Sequence, residues 1–293
     1  MKTLADKYEK ASFMDGDPSQ FLRRYSQPRD QELAAFVVSQ LSFGQREQFI
    51  AKLNAMFAAA DESACKPKTG GASFADWLAS GGYKKFFPKS QKKFYRFFSY
   101  ADMAALCGRL AQIVEECGSL GAAVRARYGQ EIVCKPKTAG GARCGLAKNS
   151  GNTKNEGATK NEGAAAPLGL TTVPPELRLV SALISLFPGV KCVSQNPKGA
   201  CKKLHMFLRW MVRRGSPVDL GLWNWVNPAD LLIPLDTHVL QESARLGLIA
   251  PNAAASAKTA IDLTQKMAAA FPGDPARADY ALFGLGVDGR EKR

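Results

Sequence analysis

The run KKLHMFLRWMVRR, residues 202–214, decides the fold class, because its apolar positions recur with the period of an α-helix. At about 100° per residue, one face of this helix is apolar and consists of Leu204, Phe207, Leu208 and Met211. The opposite face is cationic and carries Lys202, Arg209 and Arg213. The run therefore predicts an amphipathic helix with one face in the core and a cationic face opposite.

A second helix start follows downstream, in the stretch PLDTH at residues 234–238. The apolar run 231–233 is broken by Pro234, and Asp236 lies where a new helix would begin. Aspartate is favoured at this position because its carboxylate accepts hydrogen bonds from unpaired backbone N–H groups. The sequence thus places a lysine at one helix start, Lys202, and an aspartate at another, Asp236.

The rest of the chain is also predicted to be helical, since its apolar residues recur at helical spacing. The segments concerned are 1–61, 75–133, 174–187, 239–247, 254–271 and 275–285. Residues 62–74 and 134–170 are low-complexity insertions: CKPKTGGA returns as CKPKTAGGA, and TKNEGA occurs twice in tandem. Such short polar repeats bury no core. We therefore expect one all-α domain over residues 1–293 with two insertions.

Composition narrows the class of function. The formal net charge of +14 favours a polyanionic partner such as nucleic acid, although many basic proteins are merely soluble. No run of about 18 apolar residues is present to span a bilayer, and the first residues alternate in charge where a signal peptide is apolar. The seven cysteines include no Cys-x2-Cys pair, which excludes the usual zinc spacing. We expect a cytoplasmic protein without metal, cofactor or membrane contact.

A lysine on a hairpin helix followed by a Pro-x-Asp-Thr-His helix start resembles the helix-hairpin-helix DNA glycosylase superfamily. Three stretches of sequence are similar to a bacterial branch of that superfamily: residues 202–214, ADYALFGLGV at 278–287 and SQLSFGQREQF at 39–49. That branch resembles the archaeal 8-oxoguanine DNA glycosylases in the order of its motifs. The resemblance implies two helical lobes with a cleft between them. The lack of cysteines after position 201 excludes the carboxy-terminal iron-sulfur cluster of some members.

The resemblance also implies roles for individual residues. Lys202 would be the nucleophile, five residues after Pro197, and Asp236 the catalytic carboxylate. Each has a simpler explanation, because a lysine on a cationic helix is usually a solvated charge and Asp236 is a natural helix cap. The DNA would be bound by the turn before the helix and by the cationic face, through Lys198, Gly199, Lys203, Arg209 and Arg213. Pro188-Gly189-Val190 is a competing turn, but the same five-residue count from Pro188 reaches Val193, which has no amine.

Four further residues are candidates for binding an extruded base. They are Gln40, Trp223, Asp279 and Phe283. Gln40 belongs to an amide-rich stretch that the resemblance brings close to DNA, although an exposed helix end explains Gln45 and Gln48 better. Trp223 and Trp225 are candidate walls of the base pocket or core residues. Asp279 and Phe283 are four apart on one helical face, so they are placed to bind and stack a purine or simply to pack.

Basic and aromatic side chains interleave in two groups, at residues 84–89 and 92–98. Such groups can stack on bases and neutralise phosphates. The explanation that we prefer is a buried aromatic cluster with a solvated basic rim, because phenylalanine is usually buried.

The sequence as a whole predicts a DNA glycosylase with associated abasic-site lyase activity, acting as a monomer on double-stranded DNA with an oxidised base such as 8-oxoguanine. Two alternatives remain open. One is a glycosylase without strand cleavage, and the other is a non-catalytic helix-hairpin-helix protein that binds nucleic acid through its phosphates.

Overall fold

The computed structural model describes residues 1–63, 73–129, 133–134 and 171–291, and within them the predicted all-α fold is confirmed. The helices are α1 Lys2–Tyr8, α2 Pro28–Leu41, α3 Arg46–Ser63, α4 Phe74–Ala79, α5 Tyr83–Phe86, α6 Tyr100–Cys117, α7 Leu120–Tyr128, α8 Arg178–Ser185, α9 Lys202–Val212, α10 Thr237–Arg245, α11 Ala257–Ala268 and α12 Ala278–Glu291. Short 3-10 turns join several of them. The predicted insertions at 62–74 and 134–170 lie almost entirely outside the described residues.

Two small antiparallel strand pairs accompany the helices, β1 Lys93–Tyr95 with β2 Phe98–Ser99, and β3 Val133–Cys134 with β4 Thr171–Thr172. The prediction of helix throughout 75–133 is wrong at β1 and β2. Tyr95 pairs with Phe98, which leaves Arg96 and Phe97 as a two-residue turn. Aromatic side chains favour strands when they can pack on a half-buried surface, and Phe94, Tyr95 and Phe98 are all buried here.

The helix starts have distinct local causes. Ser99 and Asp102 form a reciprocal capping box at the start of α6. Asp236 caps α10 as predicted, since its carboxylate accepts from Val239 N at 2.9 Å. α9 has no side-chain cap; it follows Cys201, whose φ of 43° is unusual for a residue with a side chain.

Buried apolar side chains form two clusters. The larger includes residues from α2 to α8 and the apolar face of α9, where Phe207 contacts Phe36 of α2 edge-on at 5.0 Å between ring centroids. The smaller is built from α1, α10, α11, α12 and the residues just before α10. The apolar face of α9 thus belongs to the larger cluster, whereas the residues just before α10 belong to the smaller one.

Two glycines let the elements of the smaller cluster pack closely. A Cβ at Gly284 of α12 would overlap the Tyr8 ring of α1, and a Cβ at Gly286 would lie 2.8 Å from Cβ of His238 in α10. Real Cβ atoms do not approach so closely, so α12 needs glycine on these faces. Among the described residues, no helix combines the length and apolar composition that crossing a bilayer requires.

Candidate functional site

A cavity of about 750 Å³ lies where residues of the two apolar clusters meet. The starts of α9, α10 and α12 all reach it, as does the loop between α2 and α3. Its polar lining includes Lys202, Lys203, Asp236, His238 and Asp279. Its aromatic lining includes Phe13, Phe43, Phe97 and Phe283. A pocket of this size and mixed lining suits a ligand with a flat ring and a few polar atoms.

Lys202 and Asp236 both line this cavity, although they are 34 positions apart in the chain. The Lys202 amine lies at the first residue of α9 and is 3.5 Å from Sδ of Met206, one turn further on. Asp236 is half-buried and uses Oδ1 for its bond to Val239 N. Two helix starts that were predicted from local signals therefore bring an amine and a carboxylate to one space.

Asp279 is buried beside these two groups. Burial raises the pKa of its carboxyl to about 6, an effect that the Arg209 guanidinium and the Lys202 amine oppose and the Asp236 carboxylate reinforces. Phe283, half-buried one turn along α12, also lines the cavity. The predicted shared face of Asp279 and Phe283 is thus turned toward the cavity.

The Lys203 amine is enclosed by the protein. A contact with a phosphate would require the side chain to extend toward solvent, and it does not. Its Nζ donates to the backbone oxygens of Gln40 and Cys192, at 3.1 and 3.3 Å. It also lies 5.0 Å from the ring centroids of Phe43 and Phe98. Burial lowers the pKa of this amine to about 8. Lys203 therefore connects α9 with α2, with the segment between α8 and α9, and with β2.

The predicted cationic face of α9 is wrong at Arg209 and Arg213, whose exposed fractions are 4% and 3%. Arg209 pairs with Asp279 and, through Nε at 3.3 Å, with Asp219. Arg213 pairs with three carboxylates, those of Asp219, Asp274 and Glu9, at 2.5, 2.8 and 2.8 Å. Charges this deeply buried need partners, so these guanidiniums are engaged in the interior and not offered to DNA.

Tyr280 completes this buried ionic cluster, which we define as Glu9, Arg209, Arg213, Asp219, Asp274, Asp279 and Tyr280. The Tyr280 hydroxyl donates to Asp219 Oδ1 at 3.0 Å. Its ring centroid lies 4.3 Å from the Arg209 guanidinium carbon and 5.4 Å from that of Arg213. No signal in the sequence predicts the cluster, because its acidic members lie outside α9 in segments that no spacing rule connects with it.

Gln40 and Trp223 lie outside the cavity lining. Gln40 is fully buried and donates its amide N–H to Ser39 Oγ at 2.8 Å. Trp223 is buried against Phe207, and its indole N–H donates to the carboxylate of Glu32 at 2.5 Å. Its other neighbour, Trp225, stacks on it at 5.5 Å. Both side chains are buried away from the cavity lining, so neither is placed to contact a base in the cavity.

The turn before α9 has one exposed charge. Lys198 is solvent-exposed, while its backbone oxygen accepts from Ala257 N at 3.1 Å. The Gly199 N–H donates to Asn196 O at 3.2 Å, so it is occupied within the turn and not directed at a phosphate. Lys198 is the member of the predicted phosphate-binding turn that remains accessible.

Sequence reasoning missed Phe43 and Phe97 as residues of the site. Phe43 stands in the amide-rich stretch, where the sequence analysis predicts a base contact at Gln40. Phe97 belongs to an aromatic group that is predicted to be buried. That expectation is confirmed for Phe87, Phe94 and Phe98, whereas Phe97 is 56% exposed. The signal that was present in the sequence is the Arg96-Phe97 pair itself, which closely follows Lys92 and Lys93.

No group of three or more His, Cys, Asp or Glu side chains is arranged to hold a metal ion in the part of the chain that the structure describes.

Comparison with known proteins yields no significant match among curated proteins or solved structures. A family model does match, over residues 17–165 and 178–288, which is most of the chain. The chain therefore belongs to the family described as protein of unknown function (DUF2400).

Proposed function

We propose that the protein is a DNA glycosylase with associated abasic-site lyase activity. It acts as a cytoplasmic monomer on double-stranded DNA that carries an oxidised base, with 8-oxoguanine as the first candidate. The observation that carries the proposal is that Lys202 and Asp236, from two separate helix starts, line one cavity of about 750 Å³. Its aromatic walls and the basic net charge of +14 support a nucleobase in the cavity and phosphates outside it.

The reaction begins with the damaged base out of the helical stack, because its sugar carbon is inaccessible within a duplex. Attack requires the neutral form of the Lys202 amine. The amine bonds to the anomeric carbon, the glycosidic C–N bond breaks, and the base leaves as an anion that takes up the proton released by the amine through Asp236. Asp236 stabilises the cationic sugar and accepts the proton that the attacking amine loses. The sugar ring then opens: the bond between the anomeric carbon and the ring oxygen breaks, the N–H proton moves to that oxygen, and an imine forms. Loss of the adjacent C–H proton to water then expels the 3′ phosphate with the electrons of its C–O bond.

Asp279 and Phe283 are the proposed contacts to the base. Phe283 offers a ring for stacking, and Asp279 offers carboxylate oxygens as hydrogen-bond acceptors for ring N–H groups. Lys198 is the proposed phosphate contact at the turn before α9, since it is exposed there. Arg209 and Arg213 have no direct contact with DNA in this proposal, because their charges are paired in the buried ionic cluster.

Borohydride reduction in the presence of duplexes that each carry one damaged base tests the proposal. We expect a covalent protein–DNA adduct with the 8-oxoguanine duplex and none with the undamaged duplex, since only the imine is reducible. Lys202→Ala should abolish the adduct, and Lys203→Met should retain it. Asp236→Asn should slow base release by about 10²- to 10⁴-fold, while thermal stability stays close to wild type because asparagine also caps helices well.

The other outcomes identify what is wrong. An adduct that persists in Lys202→Ala and disappears in Lys203→Met would assign the nucleophile to Lys203. Base release with no adduct would mean a glycosylase without lyase activity. Salt-sensitive DNA binding without release of any base would contradict the enzyme altogether and leave a nucleic-acid-binding protein.

A further inference from the structure

Phe97 is a large apolar side chain left in solvent at the rim of the cavity. It lies in the two-residue turn between β1 and β2 and is 56% exposed. Among the described residues only Leu246 is a comparably exposed large hydrophobic side chain, at 41%, and it does not line the cavity. The exposure of Phe97 therefore coincides with the site and is not a general feature of the surface.

The ring of Phe97 is held parallel to a second ring. Its centroid lies 5.0 Å from that of Phe43, with 12° between the ring planes. Phe43 is fixed in turn, since the Tyr95 hydroxyl donates to its backbone oxygen and the Lys203 amine lies 5.0 Å from its ring centroid. Phe97 is thus the outer member of a rigid aromatic stack whose outer side meets solvent.

The segment that carries Phe97 contains only positive charges. Residues 84–100 contain six basic residues and no acidic one, namely Lys84, Lys85, Lys89, Lys92, Lys93 and Arg96. All six are exposed, and no ion pair involves any of them within the described residues. Two of them lie close to Phe97: Lys93 Nζ is 3.4 Å from its backbone oxygen, and the Arg96 guanidinium is 6.0 Å from its ring centroid.

We propose that Phe97 is a stacking platform for an unpaired nucleobase at the rim of the cavity, with the adjoining phosphates bound by Lys93 and Arg96. An exposed aromatic ring amid unpaired cations binds single-stranded nucleic acid because every base has a π-face and every nucleotide a charge. The inference rests on the proposed function in taking nucleic acid as the ligand, but it requires neither base damage nor catalysis.

The test separates stacking from charge. Two fluorescent oligomers of ten units are titrated at one low salt concentration: a thymidine oligomer, and a base-free oligomer with the same phosphates. Phe97→Ala should weaken binding of the thymidine oligomer by about 5- to 100-fold, the effect of losing one stacked base. It should leave the base-free oligomer unchanged, and Phe97→Trp should restore thymidine binding. Leu246→Ala is the matched control and should change neither.

Any other result of this titration overturns the inference. Equal loss of affinity for both oligomers would mean that Phe97→Ala disturbs the basic surface and not stacking. If Phe97→Ala loses no affinity, or if the wild-type protein binds neither oligomer, Phe97 does not stack on a base. If borohydride trapping fails while the base-selective loss is observed, the proposed function fails alone; if trapping succeeds and Phe97→Ala binds normally, the platform fails alone.

Discussion

Asp279 illustrates how the environment of one residue combines opposing effects. Its carboxyl is buried, which favours the neutral form, and it is paired with Arg209, which favours the charged form. Burial dominates, so the pKa rises from 3.8 in the exposed carboxyl to about 6 in the folded protein. The folded state therefore binds this proton more tightly than the unfolded state does.

This shift predicts a pH dependence of stability. Between about pH 4 and pH 6 the folded protein retains a proton on Asp279 that the unfolded chain has lost, so the free energy of unfolding falls as pH rises. We expect the unfolding free energy of wild type minus that of Asp279→Asn to be larger at pH 4 than at pH 7. Urea unfolding of both proteins at several pH values measures this difference.

The comparison with Asp279→Asn removes the contributions of the other titrating groups, which both proteins share. A difference that stays constant from pH 4 to pH 7 would contradict the raised pKa. A difference that grows with pH would mean that pairing with Arg209 outweighs burial and that the pKa lies below its usual value.

At the residue scale, a role could be predicted from the sequence where it depends on residues a few positions away. Asp236 was recognisable because Pro234 ends one segment and aspartate caps the next within two residues. The burial of Arg209 was not, since its partners Asp219 and Asp279 are 10 and 70 positions away and no spacing rule joins them. Charge on a helical face predicts exposure only when no distant carboxylate packs against it.

At the element scale, α9 is buried on both of its faces. Its apolar face packs into the larger cluster, and its basic face is covered by the buried ionic cluster that connects it to α12 and to the loop after α1. The periodicity of the sequence predicts the helix itself, but it does not predict that the basic face of the helix is buried. The short strands β1 and β2 were missed for a related reason, because their aromatic residues fit either a helix or a packed hairpin.

The buried ionic cluster predicts a large loss of stability on removing one cation. Arg213→Ala would remove the cation that Asp219, Asp274 and Glu9 share; Asp219 would retain Arg209 and Glu9 would retain Arg277, but Asp274 would lose its ion-pair partner. Removing one partner from a buried ion-pair cluster typically costs about 3–5 kcal/mol. We expect a decrease of that size in the free energy of unfolding, measured by urea denaturation.

The neighbouring arginine is the matched control for this prediction. Arg214 is exposed and donates only to the backbone oxygens of Asn224 and Val226. Arg214→Ala should cost about 1 kcal/mol or less, because water can replace these partners. Equal effects of the two substitutions would contradict a structural role specific to Arg213.

At the scale of the whole molecule, the sequence predicted the class of fold and the order of its helices, and the cavity required the structure. The cavity is formed by α9, α10, α12 and the loop between α2 and α3, which are brought together by contacts between distant segments. Periodicity identifies which residues are buried but not which helices meet. Close packing at Gly284 and Gly286, for example, depends on the positions of α1 and α10 relative to α12.

The net charge of +14 is likewise a property of the whole molecule, but its distribution decides where a polyanion binds. If DNA lies along the basic segment 84–100, replacing two of its exposed lysines should release fewer counterions on binding. We expect Lys92→Gln with Lys93→Gln to reduce the slope of log Kd against log salt for an undamaged duplex by about 1.8, at about 0.9 per phosphate contact. Lys2→Gln with Arg125→Gln changes the net charge equally at exposed positions outside the cavity lining, and should leave the slope unchanged. Equal reductions in the two double variants would mean that net charge alone attracts the DNA and that the basic segment is not its binding surface.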